Sequence, residues 1–159
     1  MAPGDGEVSR DTRIAALCLA TLALIILTSS VTATFAIAHG APAMLRWPFK
    51  IMCHGIPHRC LTIFDTPMPI CARCTGIYAG FLSGLLLFPM FRRASERVMR
   101  IVMTVVAVPM LIDGVTQAAG LRESTNPLRL ATGLTLGAAF GLWVLVSIET
   151  RARQRFAES

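Results

Sequence analysis

Charge is what this sequence has least of: Asp, Glu, Lys and Arg make up 15% of its 159 residues, against 54% hydrophobic, and the mean hydropathy is +0.62. Soluble globular domains carry roughly 25% charged residues, so this composition excludes an ordinary water-soluble fold and calls for lipid around the chain. Lysine is nearly missing, with Lys50 alone among 15 basic residues. That excludes a surface of diffuse ammonium charge and leaves arginines, which suit hydrogen-bonded contact with phosphate head groups or carboxylates. Only nine residues are acidic, and the net charge is +6. The positive residues lie between apolar runs instead of forming a basic stripe, which argues against a nucleic-acid partner. Long low-complexity segments are also lacking, and Ser124 has no flanking pattern resembling a nucleophile elbow.

What is present in abundance is long apolar sequence. Ile14 to Ala38 runs without a charge, and at 1.5 Å per residue it is long enough to cross a hydrocarbon core of about 30 Å with some tilt. Cys74 to Phe91 is extended on its N-terminal side by Pro67 to Ala72; Ile101 to Leu121 carries the single charge of Asp113; Leu130 to Ile148 is closed by Glu149 and the basic tail Arg151, Arg153 and Arg155. These runs predict an all-α integral membrane protein, a four-helix bundle with helices near 14–38, 68–91, 101–121 and 129–148, forming one membrane domain over 1–159. The first run is far longer than the roughly 7–15 apolar residues of a signal-peptide core, so a retained helix is expected over a cleaved leader.

Basic residues near the helix ends set the orientation. With the N-terminus inside, Arg10, Arg13, Arg92, Arg93, Arg97, Arg100, Arg151, Arg153 and Arg155 face the cytoplasm, and Arg46, Lys50, Arg59, Arg73, Arg122 and Arg129 face out. The four arginines packed between the second and third helices weight this towards both termini being cytoplasmic.

Helix two carries Gly76, Gly80 and Gly84, and helix four carries Gly133, Gly137 and Gly141. Glycines spaced by four form one smooth face. In lipid, helix association depends on the close approach such faces permit. Two matched seams in one short chain predict that helices two and four pack on each other, the rival being a homo-oligomer seam.

Between helices one and two, Met44, Leu45, Trp47, Phe49, Ile51 and Met52, interrupted by Arg46 and Lys50, read as a stretch lying in the head-group layer. Asp65, Thr66, Pro67 and Pro69 are expected to break regular structure ahead of helix two. The same outer segment and the first turn of helix two hold Cys53, Cys60, Cys71 and Cys74 with His54 and His58. Cys18 sits alone in helix one and is expected to be a small buried apolar residue. Cys71 and Cys74 form a C-x-x-C pair entering a helix, where polarised amides favour thiolate. Completed by Cys53 with a histidine or with Cys60, they would make a Cys₃His or Cys₄ site suited to zinc. The alternatives are structural disulfides and thiol exchange coupled to a quinone, as in four-helix membrane oxidoreductases of the disulfide-forming and vitamin K epoxide reductase types. Cys60, on the outer segment, is expected to be open to a membrane-impermeant thiol reagent.

A second polar group comprises Asp113 and Gln117, four apart on one helical face, with Arg122, Glu123 and Asn126 in the following loop. An acid within a membrane helix needs a partner, a cavity or a proton. One account pairs Asp113 with Arg73 and leaves the loop residues as caps. The other is a polar pocket, in which Asp113, Gln117 and Glu123 hold a cation or proton and Arg73 or Arg122 an anionic group.

Cys53-His54 with Pro57, the run Cys71-Ala72-Arg73-Cys74-Thr75-Gly76-Ile77-Tyr78, Asp113-Gly114 and Arg122-Glu123-Ser124-Thr125-Asn126 together resemble a family of small membrane proteins of bacteria and archaea whose domain has no assigned function. The resemblance spans roughly Met52 to Gly137 and implies a prokaryotic inner or plasma membrane location. Cys53, His54, Cys71, Arg73 and Cys74 match its pattern, whereas His58 and Cys60 stand where that pattern has other residue types. The resemblance therefore narrows the expected zinc ligands to Cys53, His54, Cys71 and Cys74. The role it leaves is a binding or accessory subunit of a larger membrane complex, with an enzyme acting on a quinone or lipid, or a cation transporter, as the alternatives.

Overall fold

Each long apolar run folds as a helix. A computed structural model, describing residues 8–157, contains α1 (Arg10–Ala38), α2 (Ala72–Phe91), α3 (Glu96–Ala118) and α4 (Asn126–Ala157), all four long and apolar enough to cross a membrane. Leu17, Leu22, Ile25 and Phe35 of α1 and Leu86 and Met90 of α2 are exposed. Helices that stay apolar on their outward faces belong in lipid.

The bundle is organised about α2 and α4, whose glycine seams face each other. A Cβ placed on Gly80 would collide with the Leu134 carbonyl oxygen, and one on Gly137 with that of Ile77; Gly76, Gly84, Gly133 and Gly141 lie against the opposing backbone in the same way. α3 packs on α4, and α1 lies against α2, α4 and the hairpin described below; α2 and α3 make little contact with each other.

At the end where α1 begins, it is fastened to α4. Ser9 caps α1 by accepting the Thr12 amide proton, while its own amide donates to Glu149 at 3.1 Å. Glu149 is buried and also accepts from Arg153 Nε at 3.0 Å. The helix therefore does not stop near residue 148 as expected. With its carboxylate satisfied, Glu149 is carried inside α4, and the arginine-rich tail prolongs the helix.

The opposite end holds the largest departure from expectation. Thr66–Cys71, read as irregular or as the start of helix two, forms strand β2, which pairs antiparallel with β1 (Cys60–Ile63). Phe64 and Asp65, both with positive φ, make the two-residue turn, the backbone that matches the twist of a tight hairpin. From the Thr62–Pro67 pair to the Cys60–Cys71 pair, β1 advances two residues and β2 four, so β2 bulges around Pro69. A two-stranded ladder has only edges, and prolines are tolerated at edges and bulges. The buried side chains of Met68 and Ile70 plug the bundle together with Phe49 and Cys53. Phe49 belongs to a 3-10 helix, Ala43–Ile51, whose Met44, Trp47 and Ile51 are exposed, as an element lying in a head-group layer requires.

Replacing Gly80 by leucine should overpack the α2–α4 contact by about 1–3 kcal/mol and lower the melting temperature in detergent. Gly114→Ala should leave it nearly unchanged, since the nearest atom to its added Cβ, Arg73 Nη1, is 3.8 Å away. Equal melting temperatures for the two variants would contradict this packing.

Candidate metal centre

Three elements deliver three sulfurs to one point. Cys53 leaves the 3-10 helix, its amide donating to the Phe49 carbonyl at 2.8 Å; Cys71 ends β2 and caps α2; Cys74 occupies the first turn of α2. Their Sγ atoms all lie within 4.8 Å of one another, and those of Cys71 and Cys74 are 3.4 Å apart. An ion about 2.3 Å from each sulfur in tetrahedral geometry sets the sulfurs about 3.8 Å apart, so the spacing suits a thiolate-bound ion. No two cysteines are disulfide-bonded among the described residues.

The backbone around the sulfurs is arranged to hold negative charge. Cys53 Sγ accepts the amide of Cys71 at 3.2 Å, and Cys71 Sγ accepts that of Cys74 at 3.5 Å. Gly55 has a φ of +56° and its α-carbon abuts the Pro69 carbonyl, where a Cβ would come to 2.8 Å. The left-handed turn presents its amide to Cys53. Hydrogen bonding from the Cys71 side chain, then from Cys74, holds the Cys53 thiol well below the ordinary range, with the amides of Cys71 and Gly55 adding to the effect against the opposing effect of burial.

His54 is exposed and lines the cavity next to the sulfurs without joining the three-cysteine cluster. Cys60 is also outside that cluster. It stands opposite Cys71 in the hairpin, is 2% exposed, and donates to the Ile56 carbonyl at 3.2 Å. Burial first, then the neighbouring Cys53 and Cys71, pushes its thiol up to about 11. The expectation that Cys60 is open to a thiol reagent is therefore overturned: it is inaccessible and held protonated.

Asp113, 2% exposed, meets Arg73 in an ion pair, accepts from Arg122 Nη2 at 2.6 Å and from Ser124 Oγ at 2.9 Å. Its carboxylate is thus committed to two guanidiniums and a hydroxyl, which leaves it poorly placed to receive a cation or proton. Glu123 is exposed and makes no hydrogen bond among the described residues. Gln117 faces the cavity beside the cysteines. Asn126 joins α4 to the outer segment: its Nδ2 donates to the Cys60 carbonyl at 3.0 Å, and its Oδ1 accepts from Arg129 Nη1 at 2.8 Å.

The cavity alongside the sulfurs has a volume of about 440 Å³, and Arg59, Arg73 and Arg129 line it together with His54 and Gln117. Arg59 and Arg129 entered the sequence reading only as topological charges. A signal for Arg129 was available, since it is three residues after Asn126, hence on the same helical face, at the start of an otherwise apolar helix.

Residues 53–143 match the family described as "Predicted membrane protein (DUF2085)", and the chain belongs to that family. It is an integral membrane protein. It is similar to the uncharacterized protein MJ1492 of Methanocaldococcus jannaschii, 36% identical over 99 residues, covering 61% of this chain and 64% of the relative. An uncharacterized protein of Methanothermobacter thermautotrophicus is 38% identical over 103 residues, 63% of this chain and 88% of that one. The chain thus spans somewhat under two thirds of the first of these relatives. No solved structure matches the chain.

Asp113→Asn should leave Arg73 without its counter-charge and cost about 3 kcal/mol. The measurement is melting in detergent together with proteolysis of the loop 119–125, which should be cut faster in the variant. Unchanged melting and cleavage would show that the loop is not fastened through Asp113.

Proposed function

We propose that this protein holds a metal ion, zinc by its ligand chemistry, on Cys53, Cys71 and Cys74 at the outer face of the membrane, and serves as a binding or accessory subunit. The observation that carries the reading is the convergence of three sulfurs from a 3-10 helix, a strand end and a helix start within 4.8 Å. Thiolates in that number select zinc or another thiophilic ion over magnesium or calcium. Amide donors to the sulfurs favour the anionic ligands a metal requires. Three protein ligands leave a fourth position, for His54 after a rotation of its exposed ring, or for a water or bound molecule. By tying Cys53 to the α2 start, the ion braces the outer segment and hairpin against the bundle. The exposed Trp47 and Ile51 beside that braced segment offer apolar surface to lipid or to a neighbouring subunit.

A second reading has its own observation. Cys71 and Cys74, 3.4 Å apart at a helix N-terminus, are spaced for dithiol–disulfide exchange with a quinone-linked partner.

The two readings separate on purified protein. Zinc should be found at one ion per chain, with five titratable thiols after denaturation in chelator, matching the five cysteines of the sequence. Cys53→Ser should lose the ion. Affinity should weaken as pH falls, because the ligands must be deprotonated and binding expels protons. Metal-free protein with two thiols missing, restored by reduction, would replace the metal reading with a disulfide; reduction of an added quinone coupled to oxidation of Cys71 and Cys74 would make it the exchange reading.

Orientation is tested at the loop. A cysteine introduced at exposed Glu123 should be modified by an impermeant maleimide in intact cells, and modification only after permeabilisation would invert the assignment.

A further inference from the structure

A buried guanidinium nitrogen without a partner is costly, and three arginines lining this cavity each leave one. The Nε atoms of Arg59, Arg73 and Arg129 are all buried without a hydrogen-bond partner, and Arg129 is only 4% exposed. All three residues line the cavity next to the cysteines. Asp113 is the one acid at hand, and Arg73 shares it with Arg122. No carboxylate among the described residues pairs with Arg59 or Arg129, whose only side-chain bond is from Arg129 to the neutral Asn126. Nor does any guanidinium donate to a cysteine sulfur among the described residues.

The charge balance limits what the pocket can take. Arg73 and Arg122 on Asp113 leave one positive charge, and Arg59 and Arg129 add two. A divalent ion on three thiolates would take one away. The pocket keeps a positive surplus with or without the metal, so this inference does not rest on the metal reading. Guanidinium forks match phosphate oxygens in geometry and charge, and a surplus of two or three suits a dianion.

We propose that this pocket binds a phosphate monoester on Arg59, Arg73 and Arg129, presented as the head group of a membrane lipid. The shape of the cavity favours the lipid source. Its lower wall is apolar, with Ile77 of α2 and Met110 of α3. Ile77 lies five residues after the start of α2 and Met110 eight before the end of α3, about 8 and 12 Å from those helix ends at 1.5 Å per residue. α2 and α3 make little contact with each other, which suits an acyl or isoprenoid chain that leaves sideways into the bilayer while its phosphate stays at head-group level.

The test is native mass spectrometry and thermal unfolding of the full chain in a neutral detergent, with phosphatidate, phosphatidylcholine and inorganic phosphate as separate probes. Phosphatidate should bind one per chain and raise the melting temperature, and phosphatidylcholine should not. Arg59→Gln and Arg129→Gln should each weaken phosphatidate binding about tenfold or more, and Arg151→Gln, at the other end of the bundle, should leave it unchanged. Arg59 lies on the outer segment, so its variant keeps the test open if Arg129→Gln fails to fold. Preference for phosphatidate over inorganic phosphate assigns the lipid source; equal binding of inorganic phosphate supports the same site with a soluble phosphate. Failure of both probes to bind, or binding undiminished in both arginine variants, overturns the proposal.

Discussion

The backbone contact between α2 and α4 is the constraint on which everything else is hung. Lipid removes the hydrophobic drive between helices, so the two must come close enough for dispersion along the whole crossing to hold them. Six glycines supply that proximity, each placed where a Cβ would strike the opposing chain. The consequence reaches the site directly. α2 begins at the cysteine pair and α4 begins at Asn126 and Arg129, so drawing the helices together brings the sulfurs of one against the guanidinium of the other. Asn126 then grips the carbonyl of Cys60, and the hairpin is fixed to both helices.

That arrangement places opposed charges in one small space. Cysteines whose sulfurs accept backbone amides stand beside arginines that outnumber the carboxylates near them. Neither group is comfortable by itself at a lipid boundary, where desolvation penalises every unpaired charge. A metal on the sulfurs and a phosphate on the arginines would settle both at once, and would put an anionic lipid head next to a metal with an open coordination position. On the proposed reading, an ion held by Cys53 would also steer the neighbouring segment and its exposed Trp47.

Much of this was legible in the residues and some was not, for identifiable reasons. The helices could be read because membrane spans are long uninterrupted apolar runs, a signal that tertiary contacts do not override. The seams could be read because glycine spacing of four is itself the geometric requirement. The C-x-x-C pair announced a helix entrance and Cys53 was expected to join it, but a linear pattern does not say how the chain brings Cys53 back. That return depends on Gly55 turning left-handed and on a hairpin bulged at Pro69. The hairpin itself was hidden because prolines at 67 and 69 normally argue against a strand, and only an edge pairing accommodates them. Arg59 and Arg129 were counted as topology markers because the positive-inside rule treats arginines as interchangeable, whereas their role is set by what surrounds each guanidinium. Cys60 illustrates the converse: grouped with the other cysteines by sequence, it is removed from their cluster by a strand register that buries it.

X-ray absorption at the zinc edge of the detergent-solubilised, zinc-loaded chain tests the central claim most directly. The arrangement predicts three sulfur scatterers at about 2.3 Å with one lighter nitrogen or oxygen neighbour, and a shell that loses one sulfur in Cys53→Ser. A shell made of nitrogen and oxygen alone, or one unchanged when Cys53 is replaced, would contradict a site shared between the outer segment and α2.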